Sequence, residues 1–269
     1  MAGPLTAAAT QNIRKTVAAW PAPTQMSHLE SLLRYLAKWR SQVLAQTYLG
    51  RHGPVVWGGI FAGMTYSAAT EGALMARLLG AYESELHPHI AAIAEAGLDV
   101  VIDVGCAEGY YAVGLARMLP RVTVHAHDID PKARQACAAL AAGNGVAERV
   151  IIGEEFKPED FEAFAGRRVL VMVDAEGAEL DVLQPALSPA LAQMSLIVET
   201  HDVWRAGALD TLVERFTPTH EILRVDQQGK AADLPDWLAA LGHLDQLLAV
   251  WEWRFKPTPW LVMRPRAAS

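Results

Sequence analysis

Cysteine is scarce in this 269-residue chain, where Cys106 and Cys137 stand alone. Two cysteines make no disulfide framework, and they fit a reducing compartment, so the expectation is a cytoplasmic protein. No uninterrupted apolar run reaches the ~18 residues that would span a bilayer. The first sixteen residues are rich in Ala and Thr, with Arg14 and Lys15 late, and they lack the apolar segment of a signal peptide. No basic block occurs and the formal net charge is −7, which argues against a nucleic-acid partner. A dinucleotide fingerprint is missing as well. Gly-x-Gly-x-x-Gly would need glycine at 107 and 110, where Ala107 and Tyr110 stand. That counts against an NAD-type oxidoreductase.

What is present is apolar material, 52% of residues, ample for one α/β domain with an extension. The chain is organised around Leu98–Met118. Val100–Val104 is a short β-branched run suited to a strand buried on both faces. Gly105 and Gly109 punctuate it, and Tyr111–Leu119 reads as a helix ended by Pro120. Strand, glycine turn and helix form half of a nucleotide-binding unit, with free N–H groups at the helix start. Asp103 closes the strand, and a buried carboxylate there requires a partner.

Residues 1–96 read as an N-terminal helical extension with a lid, and 97–269 as the main domain. Residues 1–25 read as a tail or short helix leading into a linker at Pro21-Ala-Pro23. Ser27 and Glu30 form a capping box for an amphipathic helix to about Leu49, which either packs on the domain or serves a homodimer. Residues 50–66 alternate glycine with aromatics. They read equally as a plug on the sheet or as a wall of the site through Phe61, Met64 and Tyr66. Ala73–Leu79 and Tyr82–Glu95 look helical, with a break near Gly80.

Val122–Ala126 is the second strand. Asp128 follows it, 25 residues after Asp103, where an acid can accept both ribose hydroxyls. Asp130 precedes Pro131 and suits a helix cap. His125 and His127 alternate and read as strand residues. Arg149–Gly153 is the third strand, with Glu154 after it. Phe161–Ala165 is a short helix, Arg168–Asp174 a fourth strand and Ser195–Asp202 a fifth. Glu221–Val225 and Trp260–Met263 flank a helix near Leu238–Trp253.

The run Asp103-x-Gly105-x-x-x-Gly109 resembles motif I of the class I S-adenosylmethionine-dependent methyltransferases. Asp174-x-Glu176-Gly177-x-Glu179-x-x-Val182-Leu183, with Glu199-Thr200-His201-Asp202, resembles the FkbM-type branch, whose members are mostly O-methyltransferases of sugars, polyketides and other secondary metabolites. The likeness spans roughly residues 98–203. It implies an α/β fold: a Rossmann-like, doubly wound, seven-stranded, mostly parallel sheet. It also implies S-adenosylmethionine as cofactor, held by Asp103, Gly105, Cys106, Ala107, Gly109, Tyr111, Asp128, Glu154 and Asp174. The function it implies is O-methylation of a small-molecule acceptor. A non-catalytic cofactor-binding subunit of a biosynthetic complex is the alternative.

Asp174, Glu199, His201 and Asp202 fall at strand ends, where open α/β sheets bind ligands. Asp174, Glu199 and His201 are the expected catalytic set. Two acids facing one pocket need a cation or a proton between them. Either His201 is the base, or Asp174 and Glu199 hold Mg²⁺.

Overall fold

The computed structural model describes residues 3–66, 72–230 and 232–266. Seven strands form one sheet: β1 Val100–Val104, β2 Thr123–His127, β3 Val150–Gly153, β4 Val169–Val173, β5 Ser195–Glu199, β6 His220–Val225 and β7 Trp260–Pro265. Their order is β3-β2-β1-β4-β5-β7-β6. The first five run parallel and β7 is antiparallel to both neighbours, so the Rossmann-like, doubly wound, mostly parallel sheet stands as expected.

β1 lies inside the sheet between β2 and the middle strand β4, and every one of its side chains is buried. Alternation splits it between two cores. Val101 packs with helix α5, Tyr110–Met118, while Val100, Ile102 and Val104 join Phe161, Leu212 and Phe216 on the other face. Asp103 shares the face of Val101. Helices α6 (Pro131–Gly143), α7 (Glu179–Val182) and α8 (Ala208–Phe216) complete the crossovers.

The extension begins with α1 (Pro4–Ala18) and the long α2 (Met26–His52). α2 starts one residue before the expected cap. Gln25 is the capping residue and its N–H donates to His28 Nδ1 at 3.2 Å, so imidazole takes the part assigned to Glu30. α3 (Leu74–Leu79) and α4 (His87–Glu95) follow, with Pro88 in the first turn of α4, where no N–H is required of it. In place of the single late helix, α9 (Asp236–Ala239) and α10 (His243–Ala249) are separated by the turn through Gly242.

The extension and the C-terminal segment build a third core together. Leu44 and Tyr48 of α2 meet Leu78 of α3, Leu238 of α9 and Ala249 of α10. Arg40 closes this junction with a two-pronged ion pair to Asp245, at 2.7 and 2.6 Å. The start of the chain is thereby braced against its end, beside the carboxyl edge of the sheet. Among the described residues no helix is long and apolar enough to cross a membrane.

Candidate functional site

The turn after β1 is set by close backbone approach. Gly105 sits at φ +84°, and a Cβ there would lie 1.9 Å from the Asp174 carbonyl oxygen. Only glycine lets the turns after β1 and β4 meet. Asp128 secures the other side of the turn, accepting the Ala107 N–H at 2.9 Å and the Asp130 N–H at 2.8 Å. Asp130 caps α6 through the Lys132 N–H, as its position suggested. Asp103 is buried, and among the described residues its Oδ2 has no hydrogen-bond partner. Burial pushes its carboxyl up to about 7, the Ala112 N–H opposing and the Asp128 charge adding.

Asp103, Gly105, Cys106, Ala107, Tyr111 and Asp174 all border one small pocket of about 30 Å³. Arg77 and Tyr82 close it, the Arg77 guanidinium lying 4.1 Å above the Tyr82 ring. Tyr110 Oη and Trp260 Nε1, both lining it, are buried without partners. Gly109 caps α5 at φ 93° beside this pocket. Glu154 does not join the group. Its side chain is 81% exposed and pairs with Arg134 at 3.0 Å.

A second cavity of about 420 Å³ adjoins the first and shares Arg77, Tyr82 and Asp174 with it. Asp174, Glu199 and His201 meet here. β5 ends at Glu199, yet the chain stays extended one step further because the Thr200 N–H donates to Pro259 O at 2.9 Å. His201 Nε2 therefore lies 3.6 Å from a carboxylate oxygen of each of Asp174, Glu176 and Glu199. Its Nδ1 is 2.6 Å from Glu179 Oε1. Glu179 is fully buried and also accepts the Gly177 N–H at 2.9 Å, so it orients the imidazole rather than merely charging the first turn of α7. Burial lowers the His201 pKa, but the Glu179 hydrogen bond and the Glu199 charge outweigh it, and the net shift is upward. Asp174 is also raised, by burial and then by Glu199. Asp202 points away and holds the start of α8, accepting the Gly207 and Leu209 N–H groups.

The expected Mg²⁺ pair of Asp174 and Glu199 is not what the structure assembles. Glu199 is bound by Arg254 and by Thr258 Oγ1. Arg254 thus supplies the positive charge that had called for a cation at that acid. Among the described residues the three groups that converge closely enough for a metal are Asp174, Glu176 and His201, with ligand atoms within 4.8 Å.

Arg254 anchors a buried network that sequence reasoning missed. It also binds Glu83 and Glu252, the latter at 3.0 Å, while Lys230 binds Glu85 and Glu252. Tyr111 donates to Glu83, whose carboxyl burial pushes up to about 7 against the pull of Arg254. The break near Gly80 leads into Glu83 and Glu85, which are two acids of this network. Arg77, paired with Glu108 at 3.1 Å, is a further unforeseen member. Its place in an apolar helix, α3, is the signal that was available, since a buried Arg must have a partner.

Residues 50–66 do not line either cavity. Phe61, Met64 and Tyr66 are fully buried against α5. Phe61 fits because position 114 is glycine, where a Cβ would lie 2.6 Å from its ring. The segment is a small hairpin joined at Val55 and Thr65, which plugs the sheet face. It reaches the site from behind: Tyr66 donates to Glu108 at the glycine turn, and the rings of Phe61 and Tyr66 meet Tyr110 edge-on at 5.3 and 5.5 Å.

No family model matches the chain. The ribosomal protein L11 methyltransferase of Acinetobacter baylyi is 39% identical over 124 residues. That stretch is 45% of this chain and 38% of the relative, so the chain spans well under half of its length. Among solved structures, an O-methyltransferase from Bacillus cereus in complex with SAH aligns over 86% of this chain and 90% of its own, at 12% identity and TM-score 0.47. The O-methyltransferase TomG of Streptomyces achromogenes, in complex with SAM, aligns over 85% and 90%, at 14% identity and TM-score 0.46.

Proposed function

We propose that this protein is an S-adenosylmethionine-dependent methyltransferase that methylates a hydroxyl of a small molecule. One observation carries the reading: a partnerless buried carboxylate at a glycine turn opens beside a cavity that holds an oriented histidine. The donor set fits the cofactor. Asp103 Oδ2 would take its ammonium group, and Tyr110 Oη and Trp260 Nε1 are free to meet its polar end. Asp128 uses one lone pair of each oxygen on the turn and keeps the others for ribose hydroxyls. Ile129, 81% exposed beside it, offers an apolar face to a base. The pocket as it stands, about 30 Å³, is too small for the cofactor, so Arg77 and Tyr82 would move and join the two cavities when it enters.

The bound cofactor supplies a methyl group already activated on a sulfonium. The chain must then align an acceptor oxygen with it, keep water out and take one proton. His201 Nε2 faces the cavity and is the atom that receives the hydroxyl proton, while Glu179 fixes the tautomer through Nδ1. With the cofactor bound, an acceptor oxygen held in line with its methyl group would take that methyl while its proton passed to His201 Nε2. The FkbM-type pattern at Asp174–Leu183 favours sugar or secondary-metabolite hydroxyls, and the acidic cavity suits no phosphate backbone. Residues 97–269 would form the catalytic domain and residues 1–96 its brace. The A. baylyi relative gives one specific reason for a second reading, methylation of a ribosomal protein.

The test combines calorimetric titration with SAH and transfer of labelled methyl from S-adenosylmethionine. A small-molecule extract and ribosomal protein serve as alternative acceptor pools. Binding of SAH with label appearing in small molecules supports the proposal. No SAH binding would refute it, binding without turnover on any acceptor would favour the non-catalytic subunit, and label in protein would favour the second reading.

A further inference from the structure

The cavity contains more carboxylate than the chain neutralises. Arg77 is committed to Glu108, Arg254 to Glu83, Glu199 and Glu252, and Lys230 to Glu85 and Glu252. Asp174 and Glu176 line the same cavity, and among the described residues neither has a Lys or Arg partner. Lys256 is a further lining cation, exposed at the rim. Asp174 Oδ1 is buried and has no hydrogen-bond partner. Among the described residues His201 Nε2 is the group that can carry positive charge close to both acids, at 3.6 Å from each, beyond hydrogen-bond range.

A second feature lies at the same mouth. Trp204 is 69% exposed, an unfavourable setting for so large an apolar side chain. It is nevertheless held in place, because its Nε1 donates to Glu176 Oε2 at 3.0 Å. That bond fixes an indole ring beside two uncompensated carboxylates on the wall of the cavity. A metal ion has no use for the ring, whereas an organic ammonium is attracted by both the acids and the ring face.

We infer that the acceptor carries a positive charge: it is a small polyhydroxylated molecule bearing an amino group, whose ammonium docks between Asp174, Glu176 and Trp204. This rests on the methyltransferase reading for the site itself and adds the charge class of the acceptor. The ammonium would occupy the acidic mouth while a neighbouring hydroxyl faces His201 Nε2. A neutral sugar of the same outline would leave Asp174 holding the proton that burial and Glu199 favour, whereas an ammonium there favours its ionised form, with the 64% exposed Glu176 adding to the attraction.

Two probes of one shape decide it. 2-Deoxystreptamine and scyllo-inositol are six-membered rings that differ mainly in carrying amines or hydroxyls. Each is titrated calorimetrically at pH 7 into protein saturated with SAH, and again without SAH. The charged ring is expected to bind at least about tenfold more tightly, with that advantage falling in both Glu176→Gln and Trp204→Leu. Equal affinity for the two rings, binding of neither, or an advantage that survives both substitutions overturns the inference. The SAH titration made first is read separately: its failure strikes the methyltransferase reading, while the comparison of rings without SAH still reports the charge preference.

Discussion

The two adjoining cavities are built in opposite ways. The glycine-turn pocket is drawn largely from one contiguous run, Asp103–Tyr111, with Asp174 and Trp260 closing it. The larger cavity takes its charged groups from four distant stretches, near Arg77, Asp174, His201 and Arg254. The first has polar atoms without partners, Asp103 Oδ2 foremost, while most charges around the second are already paired. Groups left unsatisfied are kept for a ligand, and groups paired in advance keep a geometry. The turn is thus a binding device, and the larger cavity holds a rigid frame around one histidine.

If that division is right, the largest effect belongs to the histidine. His201→Ala should lower methyl transfer about 10²–10⁴-fold, with little change in SAH affinity. EDTA should leave the rate nearly intact, because Arg254 rather than a metal neutralises Glu199. Glu179→Gln should act through the imidazole: the rate should rise with pH through a midpoint above that of free histidine in the wild type, and through a lower one in the variant. Loss of the rate on chelation with His201→Ala still active would reverse the assignment.

The frame itself should fail next. Arg254→Met leaves Glu83, Glu199 and Glu252 buried without their shared cation, which should cost about 3–5 kcal/mol in urea unfolding. A loss below about 1 kcal/mol, the range of exposed pairs, would mean the network is not closed in solution.

How far each region could be read beforehand follows from the same contrast. β1, its turn and α5 are adjacent in sequence, so period-two alternation and two glycines sufficed to place Asp103 and Asp128. The seven-stranded, mostly parallel sheet was expected from the resemblance at Asp103–Gly109 and Asp174–Leu183, since strand–helix alternation by itself does not give the order of the strands. Arg254 was not legible, because its partners Glu83 and Glu199 lie 171 and 55 residues away and no periodicity links them. The Phe61, Met64 and Tyr66 expectation failed for a related reason. Aromatics among glycines mark a turn-rich segment, but which face it covers depends on the gap at Gly114, 53 residues on from Phe61. Glu154 was judged by position alone, and Arg134, one helix earlier, claims it.

The turn side can be broken at Asp128. Asp128→Ala removes both the support of Ala107 and the oxygens offered to ribose, so SAH affinity should fall by about 1.5–3 kcal/mol. Glu154→Gln is the matched control from the exposed side, and its affinity should change by less than about 0.5 kcal/mol. Equal losses at the two acids would return Glu154 to the site.

The last effect is a dependence of SAH affinity on pH, and the variant that abolishes it separates the two regions. Burial raises the Asp103 carboxyl to about 7 in the cofactor-free fold, well above its ordinary value. Between roughly pH 4 and 7 the folded state therefore holds a proton that the unfolded chain has released. Stability contributed by that proton is complete below about pH 4 and is lost as pH rises towards 7. A ligand ammonium at Asp103 favours the ionised carboxylate, so SAH must expel the proton when it binds below pH 7. Its affinity should rise by up to about tenfold per unit from pH 5.5 to 7 and then level off. Proton release should show in calorimetry as a binding enthalpy that varies with the ionisation enthalpy of the buffer. Glu83 is raised to about 7 as well, but it faces Arg254 and Tyr111 rather than the ligand, so its proton should be indifferent to SAH. Asp103→Asn should abolish the slope, whereas Glu83→Gln should leave it in place. A slope lost in the Glu83 variant and kept in the Asp103 variant would place the cofactor amine on the network instead of the turn.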